Sequence, residues 1–326
     1  REGKDPDEQK IAAPKITPIV TNRDSQSEFL SEIQTSQVQP IEPVFVDYKK
    51  DMSQFEAQPG IDVLYKKNET NDIFTLIYVF NTGTENDPAL NLAFNYLSYL
   101  GTDKMTAEEI ASEMYDIACS FYMNAGANQS SIQITGLSEN MGKAMEIVEG
   151  LIAGAKPDEA ILENLKGDML KSRADAKLNQ SRCFGALQRY LFYGGDFIRR
   201  TTLTDPALQA LTSEQLLAKI GGLMGKQHEV LYYGPQKETE IKSALAEHHK
   251  VAADLQPLEK KFSALLPTDA NKVVLAQYDA KQLYYLQFSN RGEKFDVAAD
   301  PEITLYNEYF GGGMNTIVFQ EMREAR

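Results

Sequence analysis

The sequence is short of the residues from which reactive and cross-linked sites are built. It has 3 histidines and 2 cysteines in 326 residues. A helix grips a metal ion with two imidazoles four residues apart on one face. No two of His228, His248 and His249 have that spacing. His228 lies in a strand-like run, and the adjacent His248 and His249 point to different sides of any helix. Cys119 and Cys183 make neither a disulfide framework nor a zinc knuckle; they read as two buried thiols or as a single bridge. Positive charge is scarce too: 33 Lys and Arg face 47 Asp and Glu, a formal net charge of -14. Such a surface repels phosphate backbones, which excludes nucleic acid as a partner. It keeps the chain in solution, or attracts basic peptides. No apolar run approaches the ~20 residues of a membrane helix, so no membrane span is expected. The opening, Arg1-Glu2-Gly3-Lys4-Asp5, is too polar for a signal peptide. It lacks an initial Met, which fits a start inside a longer precursor and leaves the compartment open.

What is present is an ordinary globular balance, 42% hydrophobic and 25% charged, enough to bury a core. At about 150 residues per domain the length suggests roughly two domains. Residues 1–42 read as an interdomain linker, with Pro6, Pro14, Pro18 and Pro40 scattered among polar residues and one short helix over 27–33. Residues 61–65 and 73–80 read as strands joined by a polar turn into a hairpin. The second is apolar on both faces, as a strand covered on both sides or covered by a partner would be.

Helical spacing follows in Leu90, Leu92, Ala93, Tyr96, Leu97 and Leu100. Thr106 to Glu109 is a capping box, and Ile110, Met114 and Ile117 form the stripe after it. Residues 121–125 and 131–135 are strand-like. Ser138 reads as the N-cap of a helix bearing Met141, Ala144, Met145, Val148 and Ile152. Pro157 reads as the first turn of the next helix, with Ile161, Leu165, Met169 and Leu170 inward. A short helix is expected over 184–192, another around Leu216, Leu217 and Ile220, a strand over 228–234 and a helix over 237–249. Strands come in pairs, so the fold class is α+β with a mostly antiparallel sheet covered by helices, not a doubly wound parallel sheet. This first domain spans 43–250. A second linker, 251–262, precedes a strand pair at 273–277 and 284–288, a helix over 303–310, Gly311-Gly312-Gly313 and a last helix through Met322. Residues 263–326 are marginal as a free domain. They read as the N-terminal part of a second, truncated one.

The run Asn307-Glu308-Tyr309-Phe310-Gly311-Gly312-Gly313-Met314-Asn315-Thr316-Ile317-Val318-Phe319-Gln320-Glu321-Met322-Arg323-Glu324 resembles the second-domain signature of the insulinase/pitrilysin zinc metallopeptidases. That signature has an Asn, a Gly-Gly-Gly-Met-like turn, a Phe and an Arg-Glu pair. Residues 74–83 are similar to a strand of the family's first domain. Residues 97–106, with Gly101-Thr102 and Met105-Thr106, are similar to the segment after its zinc helix. The resemblance covers about residues 42–326 and implies a repeated-domain, mitochondrial-processing-peptidase-like architecture. Segments 61–80 and 273–288 would be counterparts in that repeat.

Active members carry His-x-x-Glu-His, in which two imidazoles hold Zn²⁺ and the Glu is general base to its water. The matching positions here are Leu92, Asn95 and Tyr96. Leucine cannot bind zinc, and Asn and Tyr do not replace the set. The third ligand would fall near Asp168 to Ser172, where Asp168 alone cannot hold a metal. The resemblance therefore implies no catalytic residue and no metal in this segment. Zinc would sit in the N-terminal zinc-bearing half of the same chain, or in a separate catalytic subunit. The two halves would close around a peptide substrate. The resemblance points to a periplasmic or otherwise extracytoplasmic bacterial setting.

Arg323 is the candidate substrate-binding residue, since in the family an Arg at this place bonds a substrate carbonyl or the developing oxyanion. The plain alternative is a helix-surface Arg paired with Glu321 or Glu324. Gly311, Gly312 and Gly313 could cradle an anion, but no Lys-Ser/Thr follows them, and a tight turn is the simpler reading. Glu108 with Glu109, and Glu159 with Glu163, read as solvated helix faces. Met141 and Met145 read as core. Three roles follow: the substrate-enclosing half of one peptidase chain, a non-catalytic subunit of a processing peptidase, or a peptide-binding scaffold.

Overall fold

Pro59 fixes its φ, and Gly60 takes a φ of +89° that side-chain-bearing residues avoid, so the chain reverses sharply there. That turn joins β1 (Ser53–Gln58) to β2 (Ile61–Lys67) as an antiparallel hairpin. The sequence had paired β2 with β3 (Ile73–Phe80). Instead β6 (His228–Gly234) lies between them, parallel to β2 and antiparallel to β3. With β4 (Cys119–Ala125) and β5 (Ser130–Leu137) the sheet has six strands in the order β1-β2-β6-β3-β5-β4. Every pairing but β2–β6 is antiparallel. The computed structural model describes residues 25–258, 262–290, 292 and 294–324. It divides into two compact units, Arg1–Val46 and Asp47–Arg326.

In the first unit, helix α1 (Glu28–Thr35) starts where the Ser27 hydroxyl accepts from Leu30 N–H. Residues 1–24 of the expected first linker lie outside the described residues.

In the second unit, side chains alternate across the sheet as the strand period demands. The row Phe55, Val63, Val230, Tyr78, Ile132 and Met123 faces the helices. The row Gln54, Leu64, Leu231, Ile77, Gln133 and Tyr122 crosses all six strands on the other face. The helical layer holds α2 (Leu90–Leu97), α3 (Ala107–Asp116), α4 (Met141–Gly154), α5 (Glu159–Lys177), α6 (Gln180–Thr201), α7 (Asp205–Ala210), α8 (Ser213–Leu223) and α9 (Glu238–His248). α3 opens with the expected capping box of Thr106 and Glu109. Met141 and Met145 are core, as read.

Several local readings change. Ser138 begins a 3-10 turn, Ser138–Asn140, and caps nothing; its carbonyl accepts from Gln236 Nε2. α5 is capped by Asp158, with Pro157 outside it, because the Asp158 carboxylate satisfies the free N–H groups of Ala160 and Ile161. The short helix around 184–192 is the 22-residue α6, broken at Gly194, where φ is +80°. Glu159 is not simply solvated, since Oε1 accepts from Ser213 N–H. Both cysteines are free, Cys119 buried and Cys183 half-buried.

No strand forms over residues 262–290 among those described. Strands exist only where backbones pair, and here Val273, Leu275 and Tyr285 are 83%, 85% and 77% exposed. The segment lies against α6 instead. Leu266 N–H donates to the Phe192 carbonyl, 2.7 Å, beside the break at Gly194. Phe288 and Tyr284 pack their rings on Phe192 and Phe184. Beyond it are α10 (Asp300–Phe310), the glycine turn, α11 (Ile317–Phe319) and a π-helical turn, Gln320–Glu324.

Candidate functional site

The family resemblance assigns a metal-binding pair to the α2 face at Leu92 and Tyr96. That face is closed by its neighbours. Leu92 and Tyr96 are buried, Tyr96 completely, while Asn95 is exposed. Tyr96 Oη accepts from Asp158 N–H at 2.7 Å and lies 2.7 Å from Ser213 Oγ and 3.1 Å from the Asp158 carbonyl. It thus ties α2 to the start of α5 and to the buried first residue of α8. A neutral hydroxyl with its proton and lone pairs so engaged, next to a leucine, offers no metal ligand. The donor set does not fit zinc. Asp168 is exposed and lines an open polar cleft of about 400 Å³ with Lys171, Ser172, Asp175, Asn179 and Arg182. Among the described residues no group of three or more His, Cys, Asp or Glu is placed to hold a metal ion.

Arg323 lies in the π-helical turn, its guanidinium 4.8 Å from the centre of the Phe319 ring. This stacking was not foreseen from sequence. It holds the side chain against its own helix turn. The side chain of Glu324 is outside the described residues.

Tertiary structure does bring together residues that sequence spacing kept apart. His228 on β6 and His249, just past α9, meet with their Nε2 atoms 2.8 Å apart. His249 Nδ1 is 2.5 Å from Glu149 Oε1 on α4. The Tyr78 hydroxyl on β3 donates to the same oxygen at 3.1 Å, and Lys250 N–H donates to Oε2 at 2.7 Å. His228 Nδ1 is 2.7 Å from the Lys226 carbonyl. All four side chains are buried.

The proton positions follow from the partners. A carbonyl only accepts, so His228 Nδ1 carries a proton and neutral His228 leaves Nε2 bare. His249 Nε2 must then be the donor. Glu149 receives Tyr78, Lys250 and His249 together. Burial, then the nearby Glu149, pushes the Tyr78 phenol well above its usual range, so it remains a donor. Burial also holds His228 down to about 4; the His249 charge lowers it further, while the Lys226 carbonyl and Glu149 oppose the fall.

The unfolded chain therefore takes up a proton on His228 near pH 6.5 that the closed fold refuses until about pH 4. Stability from this group is complete above about 6.5 and is lost as pH falls toward about 4, by at most about 3 kcal/mol. Urea unfolding over that window should show the fall, and a flat profile would remove the effect.

No family model matches the chain, and no curated protein sequence matches it. Solved structures do. The peptidase M16 inactive domain from Pseudomonas fluorescens superposes with a TM-score of 0.62 at 16% identity, over 85% of this chain and 68% of its own. A conserved protein from Enterococcus faecalis gives 0.61 at 15%, over 84% and 70%. The periplasmic protease PqqL from Escherichia coli gives 0.54 at 13%, over 80% of this chain and 28% of its own. At such identities the likeness defines fold, and the fold is that of the M16 peptidases, the insulinase-type architecture the sequence resembled. The chain spans only 28% of the length of PqqL. Among the described residues no helix is long and apolar enough to cross a membrane.

Proposed function

We propose that this chain is the non-catalytic half of a zinc metalloendopeptidase, and that it encloses peptide substrate against a zinc-bearing half. The reading rests on one observation. The buried α2 face to which the family resemblance assigns the zinc ligands carries Leu92 and Tyr96, and the Tyr96 hydroxyl is engaged by Asp158 and Ser213. The partner would be the N-terminal half of the same polypeptide. The small share of PqqL that is covered supports this. The sheet face bearing Leu64, Ile77, Leu231 and Tyr122 would form chamber wall, mixed enough in polarity to pass unfolded peptide. Residues 263–326 would be the front of a second such domain. Its strands would form once their pairing partners are supplied. A periplasmic setting is part of the proposal, since PqqL is periplasmic.

The test is peptide hydrolysis with zinc present. This chain alone should be inactive, and its mixture or fusion with the zinc-bearing half should cleave. Turnover by this chain alone would sink the proposal. Arg323 would supply hydrogen bonds to the substrate carbonyl or oxyanion from the facing half. Arg323→Ala in the whole protein should then lower kcat more than it raises KM, and an unchanged kcat would remove that role. If the zinc-bearing half proves to be a separate polypeptide, the chain is instead a partner subunit. If no assembly cleaves peptides, it is a peptide-binding scaffold.

A further inference from the structure

The buried histidine pair does more than fill the core, because it sits where the chain leaves α9. His249 follows the last residue of α9, and Lys250 N–H is held by Glu149 Oε2. Six residues on, Gln256 returns to the fold: its N–H donates to the Gly225 carbonyl at 3.0 Å, and its carbonyl accepts from Gln227 N–H at 2.9 Å. Lys226, bracketed by these bonds, gives its carbonyl to His228. The exit segment is thus fastened at 249–250 and at 256, and the His228–His249 bond joins the two fastenings.

We propose that this cluster is an acid-operated latch. The His228–His249 bond exists only while one of the facing nitrogens carries no proton. A proton on His228 makes both nitrogens donors, breaks the bond and frees residues 249–256 from the domain.

The surroundings make His228 the weak point. Tyr78 and Phe80 of β3 set aromatic rings 6.2 and 4.6 Å from its ring. Ile61 is its apolar partner on β2. From the end of α9 it faces His249, already a donor toward it, and from α4 it faces Glu149 only across His249. No carboxylate is bonded to it directly among the described residues. His248 is turned to Glu146 and Glu247 and takes no part in the chain of bonds. The proton enters from solvent, and nothing else need change hands. Opening 249–256 exposes chiefly His249 and Leu255. Unfolding would expose the whole sheet core, so the local route is the cheaper one.

Amide hydrogen exchange on the full chain, corrected for intrinsic rates, tests this. Protection at Lys250, Gln227 and Gln256 should fall about tenfold per pH unit between about pH 6.5 and about pH 4. Amides paired between β3 and β5 should keep theirs. His228→Asn should make the exit segment's exchange independent of pH. Protection that does not change with pH overturns the proposal. So does protection lost in step with β3 and β5, which would make the cluster a stability term only. Should His228→Asn fail to fold, nitrogen NMR of the wild-type imidazoles decides. His228 Nε2 must gain its proton over the same pH range in which Lys250 loses protection. A separation of the two events defeats the latch.

Discussion

Restoring the metal-binding motif should break the fold and should not restore a site. With Leu92→His, Asn95→Glu and Tyr96→His together, an imidazole replaces leucine where no partner waits. Asp158 N–H and Ser213 Oγ also lose the Tyr96 hydroxyl. Leaving buried polar groups unpaired costs about 1–3 kcal/mol each, and with the lost packing the loss is on the order of 5 kcal/mol. That is comparable to the whole stability of many domains. The single change Tyr96→Phe isolates the hydroxyl and should cost about 1–3 kcal/mol. Urea unfolding with metal analysis of the dialysed protein checks both. Stoichiometric zinc in a stably folded triple variant would show that the face is not closed.

Removing Glu149 should be the most damaging change to the histidine cluster. Glu149→Ala strands the Tyr78 hydroxyl, the Lys250 N–H and His249 Nδ1, all three gathered on one carboxyl group. Leaving buried hydrogen-bonding groups unpaired in this way costs about 1–3 kcal/mol each. Glu146→Ala, nearly one turn away on α4 and facing solvent, should change stability by no more than about 0.5 kcal/mol. Chemical denaturation at neutral pH separates the two, and equal effects would mean that the buried network contributes little. The latch rests on the same bonds. It has a separate readout in local exchange, so the stability result and the latch can fail independently.

Helix positions were largely legible, because capping and 3.6-residue periodicity are local. Ser27, Thr106 and the stripe Leu90-Leu92-Ala93-Tyr96-Leu97 each report on residues within one or two turns. Strand existence was legible for the same reason, since alternation lies within one segment. Strand order was not. Residues 61–67 and 73–80 look like a hairpin in sequence. Their real neighbour, 228–234, is separated from them by more than half of the folded chain. The apolar runs at 273–277 and 284–288 show the converse failure: strand composition is intrinsic to a segment, but a strand needs a partner backbone.

By itself, then, the sequence determined that Leu92, Asn95 and Tyr96 could not form a zinc site, because side-chain chemistry excludes ligation whatever the fold. It also determined an α+β class, through periodicities that each segment carries alone. Tertiary structure decided what those positions became. Tyr96 holds three helices together only because α5 and α8 begin where its hydroxyl ends. His228, His249, Glu149 and Tyr78 form one buried hydrogen-bonded chain although they stand on four different elements. No spacing rule joins residues that far apart; only the packing of β3, β6, α4 and the end of α9 brings their protons within reach of one another.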